Sequence, residues 1–227
     1  LDLAFYRATV EDFQGIPLVG LRSSALSAWQ RAIKRAFDLI TTALTLLVMG
    51  PVMALVALAV RLDSPGPVIF KQQRVGENGR LFWMYKFRSM VDGAEKHQRE
   101  IQQITEDGKV IYKLREDPRV TRVGRILRCT SLDELPQLIN VLKGEMSMVG
   151  PRPELPFLAE QYQDWQRQRL VVPPGITGWW QVHGRSDRPM HIYTEDDLYY
   201  VQNYSLFLDL RILWKTVWAV LQGRGAY

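Results

Sequence analysis

One stretch decides most of what this chain can become. From Leu39 to Val60 no residue carries a charge, and Thr41, Thr42 and Thr45 are its only polar side chains. Coiled as a helix it would reach roughly 33 Å, about the thickness of a bilayer's hydrocarbon core. Its leucines, isoleucines and valines together favour insertion by roughly −3 to −7 kcal/mol, before threonine, glycine and proline subtract. A buried core helix is the alternative, and insertion is the stronger reading.

The flanks bear on whether the segment crosses. Gly50-Pro51 falls at its middle, where proline removes a helical hydrogen bond and clashes with the preceding turn. Residues 22–36 carry Arg22, Arg31, Lys34 and Arg35 and no acid, whereas residues 61–75 carry Arg61, Lys71 and Arg74 against Asp63. Cationic flanks favour the cytoplasmic side, and a single crossing can place only one end there. A helix-break-helix that returns to its starting face places both. Residues 31–62 are therefore expected to form a re-entrant anchor, marked by Lys34, Arg35, Asp38, Gly50 and Pro51. Asp38 stands one turn beyond Lys34 and is placed to pair with it.

Around this segment the composition is that of a folded chain. Of 227 residues, 47% are hydrophobic and 23% charged, which argues against wholesale disorder. Lysine and arginine number 29 against 24 acids, a net charge of +5 that suits nucleic acid, phosphate groups or an acidic membrane surface. A single cysteine, Cys129, excludes an internal disulfide framework. His97, His183 and His191 are too scattered for zinc spacing. The chain opens at Leu1, so residues 1–30 are expected to be a linker and the tail of an upstream domain, with a loop and short strand at Gly15–Gly20. No secretory signal is visible there.

Beyond the apolar run, Val68–Arg74 and Arg80–Arg88 flank an Asn78-Gly79 signal and predict a β-hairpin. Leu81, Trp83, Tyr85 and Phe87 would share one face, and Phe82, Met84, Lys86 and Arg88 the other. Residues 92–109 predict a polar helix and loop. A helix is expected from about Asp133 to Leu142, with Leu135, Leu138, Ile139 and Leu142 on its apolar side. Residues 149–156 and 171–185 read as irregular, rich in proline and glycine. Leu206–Leu221 is densely apolar, with Trp214, Lys215 and Trp218, and suits either a helix at headgroup level or a core helix.

Three constellations could do chemistry. Asp133-Glu134 sets two carboxylates side by side, and Ser131-x-x-Glu134 also reads as a capping box. Arg119, Arg122, Arg125 and Arg128 recur every three residues just upstream. They form either a solvated basic face or a phosphate-binding one. An aspartate that stays anionic among such cations can attack phosphorus and carry an aspartyl-phosphate. Arg152 is bracketed by Pro151 and Pro153, which hold it in place at low entropy cost. No aromatic run interleaves the arginines and no nucleic-acid motif is present. The rival to an enzyme is a membrane scaffold whose basic patch holds acidic lipid or nucleic acid without turnover.

Taken together these stretches resemble the monotopic polyprenyl-phosphate phosphoglycosyl transferases, the bacterial sugar transferases. The resemblance runs from about Lys34 to Gln222. It rests on Lys34-Arg35-Ala36-Phe37-Asp38, Tyr85-Lys86-Phe87-Arg88, Ser131–Pro136, Asn140–Ser147, Gly150–Pro153 and Pro174–Gly178. It implies an α+β fold: a re-entrant membrane helix, then a mostly helical catalytic domain over residues 63–227 with a small hairpin and interfacial amphipathic helices. It implies transfer of a sugar 1-phosphate, hexose 1-phosphate as preferred cargo, from a UDP-sugar to undecaprenyl phosphate. UMP would leave and glycan assembly would begin. Asp133 matches the nucleophile and a Mg²⁺ ligand, and Glu134 its partner in the dyad. Arg128, Arg152, Lys86 and Arg88 match phosphate-binding positions. The enzyme would lie on the cytoplasmic face of the inner membrane, with no nucleic acid as partner and room for a homodimer. Many relatives have serine where Gly50 precedes Pro51.

Overall fold

In a computed structural model the chain is described over residues 8–13, 16–21, 27–94, 103–104, 110–111, 117–183 and 194–221. Strands β1 (Ala8–Phe13) and β2 (Ile16–Leu21) pair antiparallel. Helix α1 (Ala28–Asp63) then starts at Ser27, whose hydroxyl accepts from Gln30 N while the Gln30 side chain accepts from Ser27 N. This is a capping box, a start signal written wholly in local sequence.

The backbone does not form the expected helix-break-helix: α1 continues through Gly50-Pro51 with the proline inside it. Proline removes one hydrogen bond, and the packed turns on either side keep the helix going. Thr41 and Thr45 donate their hydroxyls to Phe37 O and Thr41 O at 2.8 Å each, so they make no polar demand on their surroundings. Lys34, Asp38, Thr42, Val56 and Val60 are buried, with Leu46 and Met53 packed between them. These spacings of three, four and seven make a single stripe. Both ends of α1 thus rest on one body. The far side presents Ile40, Leu44, Leu47, Val48, Leu55, Leu58 and Leu62 to the exterior, Leu47 at 77% exposure.

The predicted hairpin forms, between β3 (Ile69–Val75) and β4 (Leu81–Phe87), in register from Ile69 with Phe87 to Val75 with Leu81. Asn78 takes φ 54° in its turn, the left-handed conformation that asparagine tolerates. Phe82 and Met84 face inward and Leu81 and Trp83 outward, but Phe87 breaks the alternation and is buried against Val56, Val60 and Leu127. The polar stretch 92–109 lies mostly outside the described residues. Within and just after it, β5 (Gln103–Ile104) and β6 (Val110–Ile111) pair antiparallel.

Helix α2 (Arg122–Thr130), a 3₁₀ turn at Leu132–Glu134 and α3 (Gln137–Lys143) follow. The helix expected from Asp133 is therefore divided, and Leu138 and Val141 are buried while Ile139 and Leu142 face outward. Of the two stretches read as irregular, 149–156 is so between Val149 and Pro156, whereas 171–185 contains regular structure. Strand β7 (Ser147–Val149) pairs parallel with β8 (Gly175–Thr177), and α6 (Trp179–His183) follows, after the short helices α4 (Pro156–Ala159) and α5 (Asp164–Arg167). A Cβ on Gly175 would lie 2.1 Å from Gly150 N, so only glycine admits this approach.

Helices α7 (Thr194–Gln202) and α8 (Leu206–Leu221) complete the body. On α8, Leu208, Asp209 and Ile212 are buried while Phe207, Leu210, Trp214, Val217 and Trp218 are exposed, so one face packs on the body and the other leaves apolar side chains uncovered. The main core joins Phe82, Met84, Leu138, Val141, Met146, Val149, Tyr200 and Ile212. At its margin Lys34 Nζ lies 3.1 Å from Asp38 and 2.7 Å from Asp209, tying α1 to α8. Arg35 donates to Val141 O and Leu142 O at 2.6 and 2.8 Å and so caps α3. The architecture is thus a set of helices with small two-stranded sheets, led by one long apolar helix.

Candidate active site

Four segments converge on Asp133 and Glu134. Thr121 caps α2 through Gly124 N at 2.9 Å, and Asp63 at the end of α1 accepts from Val123 N at 3.1 Å. A Cβ on Gly124 would lie 2.0 Å from Ser89 O, so glycine lets α2 close onto the end of the hairpin. There Arg128 Nε donates to Ser89 Oγ at 3.0 Å. At Ser131 the backbone turns left-handed, φ 57°, which ends α2 and aims the 3₁₀ turn with its two acids into the body.

The anticipated capping box does not form, because Ser131 gives no side-chain cap to this turn. The Glu134 carboxylate goes elsewhere: Oε1 accepts from Lys86 Nζ at 2.8 Å and from Arg152 Nη2 at 3.0 Å. Burial opposes its ionisation, but Lys86 and Arg152 overcome that and hold its carboxyl well below the usual range. Asp133, 9% exposed, makes no hydrogen bond to a described residue. Burial raises its carboxyl above the ordinary range, with Glu134 adding to the rise, while Lys86, Arg128 and Arg152 pull it back. The pair is therefore divided in role. Glu134 is committed to two cations, and Asp133 is an uncommitted oxygen base in their field.

Arg152 owes its place to carbonyls rather than amides, since Pro151 and Pro153 on either side have no N–H to donate. Pro151 O accepts from Gly175 N at 2.8 Å, Arg152 O from Arg169 Nη2 at 2.7 Å, Pro153 O from Arg74 Nη1 at 3.3 Å and Glu154 O from Val75 N at 2.9 Å. The loop is fixed at four successive residues, and the Arg152 guanidinium reaches out over Trp180, 5.9 Å from the ring centre.

Of the residues singled out from sequence, Asp133, Glu134, Lys86, Arg128 and Arg152 share this site. Arg88 does not join it. Buried at 5%, it donates to Ser64 O at 2.6 Å and to Ser64 Oγ at 3.0 Å, just past the end of α1. Strand β4 ends at Phe87, so the alternation that grouped Arg88 with Lys86 stops before it. Among the anchor residues, Lys34 and Asp38 pair as expected, but Lys34 and Arg35 are spent on internal contacts rather than left for lipid. Sequence reasoning missed Arg169 and Asp209, charges within or beside apolar runs whose partners lie far along the chain.

Among the described residues no three acids, histidines or cysteines cluster to hold a metal. One unbonded carboxylate beside Lys86, Arg128 and Arg152 nevertheless fits Mg²⁺, which binds through one or two carboxylates and substrate phosphates rather than a protein cage.

The sequence model of bacterial sugar transferases matches residues 29–223. The chain is 42% identical over 227 residues to the UDP-glucose:undecaprenyl-phosphate glucose-1-phosphate transferase of Escherichia coli strain K12, covering 96% of this chain and 46% of that protein. It is 41% identical to the undecaprenyl-phosphate galactose phosphotransferase of Salmonella typhimurium, covering 93% of this chain and 45% of the relative. It is also 41% identical to the exopolysaccharide production protein ExoY of Rhizobium meliloti, covering 86% of this chain and 88% of that protein. The chain thus spans less than half the length of the first two relatives.

Proposed function

This chain belongs to the bacterial sugar transferase family, and on that premise we propose that it moves a hexose 1-phosphate from a UDP-sugar to undecaprenyl phosphate through a phosphosugar carried on Asp133. The observation that carries the reading is the division within the acid pair: Glu134 holds Lys86 and Arg152, and Asp133 is left uncommitted beside both. Several relatives' names supply the substrate class: three specify undecaprenyl phosphate with glucose or galactose as cargo, and a fourth specifies N-acetylgalactosamine.

In the first half-reaction an Asp133 carboxylate oxygen attacks the β-phosphorus of the donor. The Asp133 O–P bond forms, the bridging P–O bond breaks, and its electron pair leaves with UMP. In the second, a phosphate oxygen of undecaprenyl phosphate attacks the same phosphorus and frees the Asp133 carboxylate. No net proton is taken up. Lys86, Arg128 and Arg152 oppose the charge that gathers on the phosphoryl oxygens, while Glu134 holds two of these cations in place. Mg²⁺, when bound, would be held by Asp133 and donor phosphate oxygens and would neutralise the diphosphate.

The anchor reading keeps both ends of α1, which is continuous through Pro51, on one side of the membrane. Lys34, Arg35 and Asp38 at one end of α1 and Val56, Val60 and Asp63 at the other all pack on the same body. A crossing helix would carry one set of these contacts to the opposite side of the membrane. The exposed faces of α1 and α8 therefore enter one leaflet, taken as the cytoplasmic leaflet of the inner membrane, where a soluble donor meets a lipid phosphate without moving charge through hydrocarbon. The products would start exopolysaccharide, capsule or O-antigen assembly.

Mixing enzyme, Mg²⁺ and a panel of UDP-sugars without lipid tests this reading. It predicts rapid UMP release that stops near one equivalent per enzyme for the right sugar. UMP release that needs the lipid acceptor for every sugar would refute the two-step scheme.

A further inference from the structure

Arg169 belongs to none of the motifs above, yet it is among the most deeply buried charges in the chain, 1% exposed in the turn Gln168–Val171. Its guanidinium meets four residues in three segments at once. It donates to Arg152 O at 2.7 Å, to Asp197 on α7 and to the Tyr162 hydroxyl, and lies 3.7 Å from Glu154. A buried ion pair contributes little to stability over a well-packed apolar substitute. An apolar side chain could fill this volume, but it could not donate to a carbonyl in a loop whose flanking prolines have no N–H.

We propose that Arg169 is a positioning residue for the donor half-reaction. It grips the Arg152 carbonyl, with Asp197, Glu154 and Tyr162 holding it in turn, and so sets the Arg152 guanidinium against Glu134 and beside Asp133. The chain of contact is continuous: Asp197 to Arg169, Arg169 to the Arg152 backbone, Arg152 Nη2 to Glu134 at 3.0 Å. Asp197 stands in the first turn of α7, so the position of that helix is read out at the phosphate-binding arginine. This inference rests on the phosphotransfer reading of Asp133.

The test is a double-mutant cycle on donor-only UMP release by the full chain, using Arg152→Met, Arg169→Met and both together. If Arg169 acts through Arg152, each single variant loses on the order of 10²-fold, as a misplaced reacting geometry does. The loss divides between kcat and KM in the same proportion for both, and the double variant is no slower than Arg152→Met within about threefold. Losses that multiply, or a wild-type rate in Arg169→Met, would overturn the proposal.

Should Arg169→Met fail to fold, Arg169→Lys decides. It keeps the buried positive charge opposite Asp197, but one ammonium cannot also serve the Arg152 carbonyl and Tyr162 in the same geometry. It is expected to melt near the wild-type temperature and still lose release, and full activity would count against positioning. Asp133→Asn, run alongside, separates the two levels. Release by that variant would remove the phosphotransfer reading itself, whereas an inactive Asp133→Asn with multiplying losses elsewhere would remove only the role of Arg169.

Discussion

Two buried charge clusters in this chain are satisfied to different degrees. Around Lys34, both carboxylates are engaged: Asp38 accepts from Lys34, Ser147 Oγ and Met148 N, and Asp209 accepts from Lys34 and the Tyr200 hydroxyl. Around Lys86, Glu134 takes Lys86 and Arg152, and Asp133 takes no hydrogen bond from a described residue. The first cluster joins α1, β7 and α8 and holds shape. The second keeps one anion short of partners, an arrangement that costs stability and leaves an oxygen ready to react. Saturation marks the structural charge and deficit the chemical one.

The largest test of that contrast is Asp133→Asn. It should lower transfer by ~10⁴-fold or more, as loss of a nucleophile does, while the melting temperature holds or rises because a buried charge is removed. A clear fall in melting temperature would mean Asp133 is structural after all. Lys34→Met should do the reverse. Leaving Asp38 and Asp209 buried without their cation should cost about 3–5 kcal/mol, read by denaturant titration, with turnover per folded molecule retained. Equal stability in wild type and Lys34→Met would break the comparison.

Lys86→Met sharpens it through pH. The reaction needs ionised Asp133, whose carboxyl burial raises and Lys86, the strongest opposing charge, lowers. Activity is lost as pH falls through that value, so the variant should lose UMP release at higher pH than wild type, and by ~10²-fold at neutral pH. An unmoved acid limb would show that Lys86 does not act on Asp133. The smallest effect concerns Asp197, whose carboxyl burial pushes up to about 6 against Arg169. The stability it contributes is fully present below the unfolded carboxylate value and is lost as pH rises through about 6. Asp197→Asn should flatten stability over that interval in pH-dependent unfolding.

What could be read in advance was local. The Asn78-Gly79 turn placed both hairpin strands within a residue or so, the apolar run gave α1, and the i,i+4 spacing gave the Lys34–Asp38 pair. What could not be read was distant. Strands β7 and β8 are three residues each and pair in parallel across an intervening stretch, so neither shows a period of its own. Ser131-x-x-Glu134 has the letters of a capping box, yet Lys86 and Arg152 draw Glu134 away. Arg88 shows the limit of alternation, since one residue past the strand its side chain serves a different partner. The cationic flanks of α1 predicted a helix-break-helix returning to one side, but Lys34 and Arg35 are occupied internally and the helix runs on through Pro51.

The most direct measurement is to react the enzyme with UDP-sugar and Mg²⁺, quench in acid, digest with trypsin and sequence the fragment Cys129–Lys143 by tandem mass spectrometry. A sugar-phosphate mass fixed to Asp133, lost on adding undecaprenyl phosphate, is the predicted result. An unmodified fragment under conditions that release UMP, or the mass on Glu134, would contradict the account.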